Sequence, residues 1–314
     1  MEILLIAAVL PIVALCSFVY KKDPNKEPKS LLTKLFVFGF FSSIPVIIVE
    51  LILGSMFPTS NASSFIQMFI NVFVGVALVE EGFKWIITKK FGYDNKEFDE
   101  IYDIIVYAVF VSLGFACIEN ILYVFSNGLG NAVMRALTSI PGHTCFAVIM
   151  GYFFSKAKLN EINKSNLKSR NMILSLIAPT VAHTLYDALI FYASATEQYS
   201  YLGMFFLGYI AMVIVCFITV NKISKMQVSL NTSVNTGVIK LDDLGYVVPS
   251  QSTNNTPVFT KTDIEGMSNT TTSVDNTNTN ANTNANTPVF NFCPVCGTPS
   301  NGHNFCSSCG YKLK

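Results

Sequence analysis

The stretch that decides the fold is Glu80-Glu81-Gly82-Phe83-Lys84, because it lies inside an apolar segment, residues 65–88, that is long enough to cross a membrane. An acidic side chain at the depth of the bilayer costs roughly 2.5–3.5 kcal/mol on insertion scales, so an ionisable residue there indicates a functional site. Two adjacent carboxylates and a lysine within one span therefore predict a site inside the membrane.

The composition of the whole chain agrees with a membrane protein. Hydrophobic residues make up 51% of the 314 residues and charged residues only 13%, an apolar excess typical of polytopic membrane proteins. The formal net charge is +1, which gives no electrostatic reason to expect nucleic-acid binding. The expected surroundings are membrane lipid.

The apolar residues are grouped into seven segments, each close to the length of about 20 residues that a membrane-spanning helix needs. They predict an all-α polytopic domain over residues 1–225 with about seven transmembrane helices. The predicted spans are residues 2–20, 31–56, 65–88, 101–125, 133–155, 171–194 and 201–221.

The basic residues predict how this domain is oriented. Lys and Arg concentrate after the first, third, fifth and seventh spans, whereas the alternate connections, residues 57–64, 126–132 and 195–200, carry none. Because positive residues favour the cytoplasmic side, we expect the N-terminus outside the cell and the C-terminal tail in the cytoplasm. The first span has no basic n-region and is followed directly by Lys21-Lys22, which favours a retained anchor over a cleaved signal peptide.

The C-terminal part of the chain has a different character. Residues 226–290 are rich in Asn, Thr and Ser and contain too few apolar residues to offset the entropy of ordering, so they predict a disordered linker. Residues 291–314 carry two C-x-x-C pairs. Four thiolates at this spacing predict a small ribbon that folds around one structural Zn²⁺ ion, with the ligands Cys293, Cys296, Cys306 and Cys309.

Four predicted spans carry ionisable side chains at comparable depth. Taken singly, each of these residues has a purely structural explanation, such as an ion pair between Glu80 and Lys84 or a local hydrogen bond between His183 and Asp187. Together they predict that four helices surround one polar cavity. Besides Glu80, Glu81 and Lys84 on the third span, the set contains Glu119 on the fourth span, His143 on the fifth, after a kink expected at Pro141-Gly142, and His183 and Asp187 on the sixth.

Glutamate and histidine are suited to activating a water molecule and returning its proton to a leaving group, and also to holding a hydrolytic metal. The sequence contains no G-x-S-x-G, no H-E-x-x-H and no G-x-x-x-x-G-K-[ST] motif. A serine hydrolase, a zincin-type peptidase and a nucleotide-driven machine are therefore disfavoured.

The ordered motifs resemble the PrsW-type intramembrane proteases, relatives of the CAAX prenyl-protease superfamily. The resemblance covers roughly residues 1–220 and rests on E-E-x-x-K from Glu80 to Lys84, F-x-x-x-E from Phe115 to Glu119, P-G-H ending at His143, and H-x-x-x-D from His183 to Asp187. In the wider superfamily the first motif usually ends in Arg and the second in His. In this sequence the two motifs end in Lys84 and Glu119, and in this respect they resemble the PrsW branch.

The resemblance implies a multi-helix membrane endopeptidase that clips a single-pass membrane protein, such as an anti-sigma factor, in the manner of a site-1 protease. Both a metallo-type and a glutamate-type mechanism are compatible with it. Two alternatives remain at this point: a transporter or channel that uses buried carboxylates, and a non-enzymatic membrane sensor.

These considerations assign expected roles to the site residues. Glu80 or Glu81 would be the general base, with Glu80 paired to Lys84 and Glu81 the freer of the two. His183, held by Asp187, would bind the water or stabilise the oxyanion, and Glu119 and His143 would complete the site. If a catalytic metal is present, the expected ligands are His143, His183 and Glu119.

Overall fold

The computed structural model of the chain describes residues 1–60, 62–162 and 165–235, with side chains up to residue 228 apart from Ile162. The predicted zinc ribbon and the linker beyond residue 235 lie outside the described residues. No β-strand occurs in the described part, so the predicted all-α fold is confirmed. Its helices are α1 (Glu2–Lys22), α2 (Lys29–Met56), α3 (Phe65–Val72), α4 (Leu78–Ile87), α5 (Asp103–Leu137), α6 (Ser139–Ile162), α7 (Lys168–Thr196) and α8 (Tyr199–Asn235).

Six helical stretches within the described ranges are long and apolar enough to cross a membrane, and the longest, Asp103–Glu161, contains both α5 and α6. These two helices run antiparallel, because the Ser112 hydroxyl donates to the His143 carbonyl over 3.0 Å and the Ser155 hydroxyl donates to the Ile101 carbonyl over 2.8 Å. The fourth and fifth predicted spans therefore correspond to one stretch that folds back on itself. The chain is a multi-pass membrane protein.

The chain begins to fold back at Gly128, inside α5. This residue has φ 79° and ψ −169°, a backbone conformation that is open essentially only to glycine. The kink expected at Pro141-Gly142 is not the cause of the bend. Pro141 lies in the first turn of α6, where its missing N–H costs no helical hydrogen bond.

The span that carries the two glutamates is interrupted just before them. Residues Phe73–Ala77 form a π-helical turn between α3 and α4, and a second π-helical turn, Thr88–Tyr93, follows α4. π-helical turns are rare and frequently lie at functional sites. Because such a turn holds an additional residue, side-chain directions after Ala77 do not follow from an uninterrupted 3.6-residue period.

Small residues let α2 and α5 approach closely at the centre of the bundle. A Cβ atom added to Gly39 would lie 2.0 Å from the carbonyl oxygen of Val111, and one added to Gly114 would lie 2.1 Å from the carbonyl oxygen of Phe36. Backbone-to-backbone packing of this kind is the usual way in which membrane helices associate. It fixes α5, which carries Glu119, against α2.

The outer helices α1 and α8 present apolar side chains outward, among them Leu10 and Leu207. Such a surface is compatible with lipid and not with water. At its C-terminal end α8 continues to Asn235. Residues 226–235, which the composition assigns to the linker, are therefore helical.

Candidate active site

The six predicted catalytic residues and Lys84 lie together in one hydrogen-bonded network, contributed by α4, α5, α6 and α7. Glu81 is fully buried, and Glu80, Lys84, His143 and His183 are also buried. The two outer members keep partial access, with 23% of the Glu119 side chain and 16% of the Asp187 side chain exposed. We call these seven residues the polar network.

The ammonium group of Lys84 lies at the centre of the polar network. Its Nζ atom is 2.8 Å from Glu80 Oε2, 2.9 Å from Glu81 Oε1 and 3.3 Å from His143 Nδ1, so all three of its donors face an acceptor. It also lies 4.2 Å from the centroid of the Phe115 ring. The expected pairing of Glu80 with Lys84 is present, but Glu81 shares the same cation.

His183 connects Glu81 to the partly exposed edge of the network. Its Nδ1 atom lies 3.1 Å from Glu81 Oε1, and its Nε2 atom lies 3.2 Å from Asp187 Oδ2. Phe146 stacks on the imidazole with a centroid distance of 4.6 Å and an interplanar angle of 18°. The ring is thus held by a carboxylate at each nitrogen and by an aromatic face.

His143 has a defined tautomer in this arrangement. An ammonium group can only donate, so His143 Nδ1 accepts from Lys84 and the proton resides on Nε2. That Nε2–H donates to Glu119 Oε2 over 2.8 Å. In both histidines, therefore, Nε2 faces an outer carboxylate and Nδ1 faces the pair formed by Glu81 and Lys84.

Glu119 has a cationic partner that the sequence did not reveal. Arg135 Nη2 lies 2.9 Å from Glu119 Oε1, and Arg135 Nε donates to Asn120 Oδ1 over 2.8 Å. The partner comes from the same helix, beyond the bend at Gly128. The available signal was that Arg135 is the single basic residue near that face of the predicted bundle.

Glu50, on α2, is a second residue that was missed. It lies within electrostatic range of Glu80, Lys84, Glu119 and His183. Its Oε1 atom is buried and accepts no hydrogen bond from any described residue. The signal was available, because a single carboxylate inside an apolar span is the same type of feature that singled out Glu80 and Glu81.

The network contains two groups whose ligand atoms all lie within 4.8 Å of one another: Glu80, Glu81 and His183, and Glu80, Glu119 and His143. The set expected from the sequence is thus divided between two groups that share Glu80. Carboxylate oxygens and imidazole nitrogens suit a hydrolytic metal such as Zn²⁺. The donors present therefore fit a divalent metal.

Comparison with known proteins identifies the class. Residues 27–232 match the model of a family described as PrsW family intramembrane metalloprotease. Protease PrsW of Oceanobacillus iheyensis is 38% identical over 184 residues, which cover 59% of this chain and 81% of that protein. Protease PrsW of Geobacillus kaustophilus is 38% identical over 209 residues (65% and 86%), and that of Bacillus subtilis is 35% identical over 182 residues (58% and 79%). No solved structure matches.

The fold and the buried polar network are those of a multi-pass membrane protein with a shared polar interior, and the comparisons identify its class. The chain belongs to the PrsW family of intramembrane metalloproteases. It is a membrane peptidase, as the motifs predicted.

Proposed function

We propose that this peptidase hydrolyses a peptide bond in a single-pass, membrane-anchored regulatory protein, and that the polar network performs the reaction. The observation that carries the proposal is the continuous chain of contacts from Asp187 through His183, Glu81, Lys84 and His143 to Glu119. It joins proton acceptors, proton donors and a fixed cation inside helices that cross the membrane. A substrate must bring a peptide bond to that depth, which a transmembrane segment does.

Glu81 is the proposed general base. Its Oε1 atom is held by Lys84 and His183, whereas its Oε2 atom is buried and accepts no hydrogen bond from a described residue. One oxygen therefore fixes the carboxylate and the other is free to accept a proton. When a water molecule attacks the scissile carbonyl carbon, Glu81 takes the proton that the water loses and later gives it to the leaving amine.

His183 is the proposed partner of the developing oxyanion, and its Nδ1–H would turn from Glu81 to that oxygen when Glu81 takes the proton of the water. Asp187 orients its ring, as a carboxylate commonly does for a functional histidine. Lys84 would balance the charge of Glu80 and Glu81 without reacting itself. Its burial between two carboxylates and beside the Phe115 ring suits a fixed counter-charge.

The family description implies a metal, and Glu80, Glu119 and His143 are the residues that would hold it. A divalent metal at this position would polarise the scissile carbonyl as a Lewis acid. With the metal held by these three residues, Glu81 remains available to transfer the protons and His183 to stabilise the oxyanion. His143 would bind the metal through the lone pair of Nδ1, while Glu119 accepts from Nε2–H. Lys84, which donates to that Nδ1 atom, would then keep only its hydrogen bonds to Glu80 and Glu81.

Three parts of the proposal rest on the sequence. The distribution of Lys and Arg supports an N-terminus outside the cell and a cytoplasmic C-terminal tail. The four cysteines support a structural Zn²⁺ ribbon over residues 291–314, joined to the membrane domain by a linker. The resemblance to PrsW-type proteases supports an anti-sigma factor as the regulator that is cut.

The test is comparative proteomics of membrane fractions from cells that produce the wild type or the Glu80→Gln/Glu81→Gln variant. We expect one uncut single-pass protein to accumulate with the variant, and we expect the purified wild type to cleave that protein in lipid nanodiscs. Asp94→Asn, at an exposed carboxylate after the same span, is the matched control. Near-normal cleavage by a stably folded, purified double variant would end the proposed role of this motif.

A further inference from the structure

A second cluster of carboxylates lies outside the polar network, where the connection between α1 and α2 meets the start of α5. We call Asp23, Glu27, Asp99, Glu100 and Asp103 the acidic cluster. Asp23 follows α1 directly, and Asp103 is the first residue of α5. Asp23, Glu27, Glu100 and Asp103 are all buried.

Ligand oxygens within the acidic cluster are close enough to bind one ion. One carboxylate oxygen each from Asp23, Glu100 and Asp103 lie within 4.8 Å of one another, and the same holds for Glu27, Asp99 and Asp103. The two triads share Asp103. A cation held there would bridge the connection after α1, the connection before α5 and the first turn of α5.

Two buried oxygen atoms of this cluster have no protein partner in the described part of the chain. The Oδ1 atom of Asp103 and the Oδ2 atom of Asp23 accept no hydrogen bond there, although Asp103 is 0% and Asp23 is 2% exposed. Their other oxygens are bound, since Asp103 Oδ2 accepts from the amide of Glu100 over 2.6 Å and Asp23 Oδ1 accepts from the amide of Asn25 over 3.2 Å. Each carboxylate is thus fixed by one oxygen and presents the other unsatisfied.

Four carboxylates of the acidic cluster form no salt bridge with a described residue. None of the ion pairs formed between described residues includes Asp23, Glu27, Asp99 or Asp103. Lys26, whose charge acts on Asp23, uses its ammonium group to cap α1, donating to the carbonyls of Tyr20 over 2.7 Å and Lys21 over 3.2 Å.

An ionised carboxylate is costly to bury, so carboxylates packed this closely need either a cation or a proton between them. Asp23, Glu27 and Asp103 are buried, and the geometry of the two triads offers a position for a cation.

We propose that the acidic cluster binds a hard divalent cation, Mg²⁺ or Ca²⁺, which ties the connection after α1 to the start of α5. The donor set is entirely carboxylate oxygen, the chemistry that these two ions prefer, and it offers no imidazole or thiolate for a softer metal. The site is separate from the polar network and shares no residue with it. The role of the cation is structural, because it joins the connection between α1 and α2 to the connection that precedes α5.

The test uses the full-length protein in nanodiscs, freed of metal with EDTA, and titrates MgCl₂ and CaCl₂ separately by calorimetry. We expect saturable binding of at least one ion and an ion-dependent rise in the thermal unfolding midpoint, because a ligand that binds the folded state stabilises it. The isosteric Asp23→Asn substitution should weaken binding at least about tenfold, since it removes one ligand charge. Asp94→Asn, in the same connection as Asp99 but exposed and paired with Lys89, should bind like the wild type.

Absence of binding and of a midpoint shift in the wild type would overturn the proposal, because protons would then satisfy the cluster. Unchanged affinity in Asp23→Asn would also overturn it, since the ion would lie elsewhere, for example in the polar network. Should Asp23→Asn not fold, Asp99→Asn tests the second triad by the same titration. The two ions in separate titrations show which of them the site prefers.

Discussion

Replacing Lys84 by Met tests whether the centre of the polar network is held together by charge. Methionine keeps the length of the side chain and its apolar contact with Phe115 but removes the cation. Glu81 retains His183 at 3.1 Å, whereas Glu80 loses its only salt bridge to a described residue. Removing one partner of a buried ion pair typically costs about 3–5 kcal/mol, because an uncompensated buried charge remains.

A matched exposed pair shows why burial sets this magnitude. Lys89 lies 2.9 Å from Asp94, the same distance that separates Lys84 from Glu81, but the Lys89 and Asp94 side chains are 37% and 49% exposed. Exposed pairs contribute about 0–1 kcal/mol, since water screens the charges in the folded protein. Lys89→Met should therefore cost less than about 1 kcal/mol.

The assay is reversible unfolding of the purified protein in mixed micelles, with the free energy of unfolding compared among variants. Because the loss falls on Glu80, a second substitution Glu80→Gln should recover more stability in the Lys84→Met background than Glu81→Gln does. A loss below about 1 kcal/mol for Lys84→Met would refute the reasoning, since it would show that the glutamates do not depend on the lysine. Stronger rescue by Glu81→Gln would refute the assignment of the loss to Glu80.

Three further results are expected. His183→Ala should lower the cleavage rate by about 10²–10⁴-fold. Asp187→Asn should have a smaller effect, because Asp187 only orients the imidazole ring. Equal losses of rate for the two variants in single-turnover assays would contradict this assignment. Gly114→Val should lower the thermal unfolding midpoint, because the added side chain forces α5 away from α2. Gly54→Val should leave the midpoint nearly unchanged, since no atom lies within 4 Å of a Cβ at that position. Similar midpoints for the two variants would argue against close packing of α2 and α5. A peptide of residues 288–314 should bind one Zn²⁺ ion in a competition titration and Cys306→Ser should weaken binding steeply, whereas equal affinity would exclude the four-cysteine site.

The sequence predicted the fold class and the members of the polar network because the physical signals were local. Apolar runs of membrane-crossing length define spans regardless of tertiary contacts. An ionisable residue within such a run indicates a shared polar interior, because lipid cannot satisfy it. This reasoning identified Glu80, Glu119, His143 and His183, and its consistent application to the second span would have added Glu50.

The features that were not predicted depend on tertiary geometry. On a straight helix Glu119 and Arg135 would be about 24 Å apart at 1.5 Å per residue, so their contact requires the bend at Gly128. The π-helical turn at Phe73–Ala77 has no clear sequence signature, yet it changes the direction of every later side chain in that span. The acidic cluster consists of carboxylates in polar connections, where such residues are ordinary, and only packing buries them.

The distribution of charge among the helices links folding of the bundle to formation of the site. Helix α4 carries two carboxylates against one ammonium group, and the basic residues of α7, Lys168 and Arg170, lie in its first turn, away from His183 and Asp187. Each helix therefore enters the bundle with polar groups that only another helix can satisfy, and Lys84 and His183 make the connections. A substitution in the polar network thus alters both catalysis and packing. Loss of cleavage by a network variant is informative about chemistry only when its unfolding free energy is measured on the same preparation.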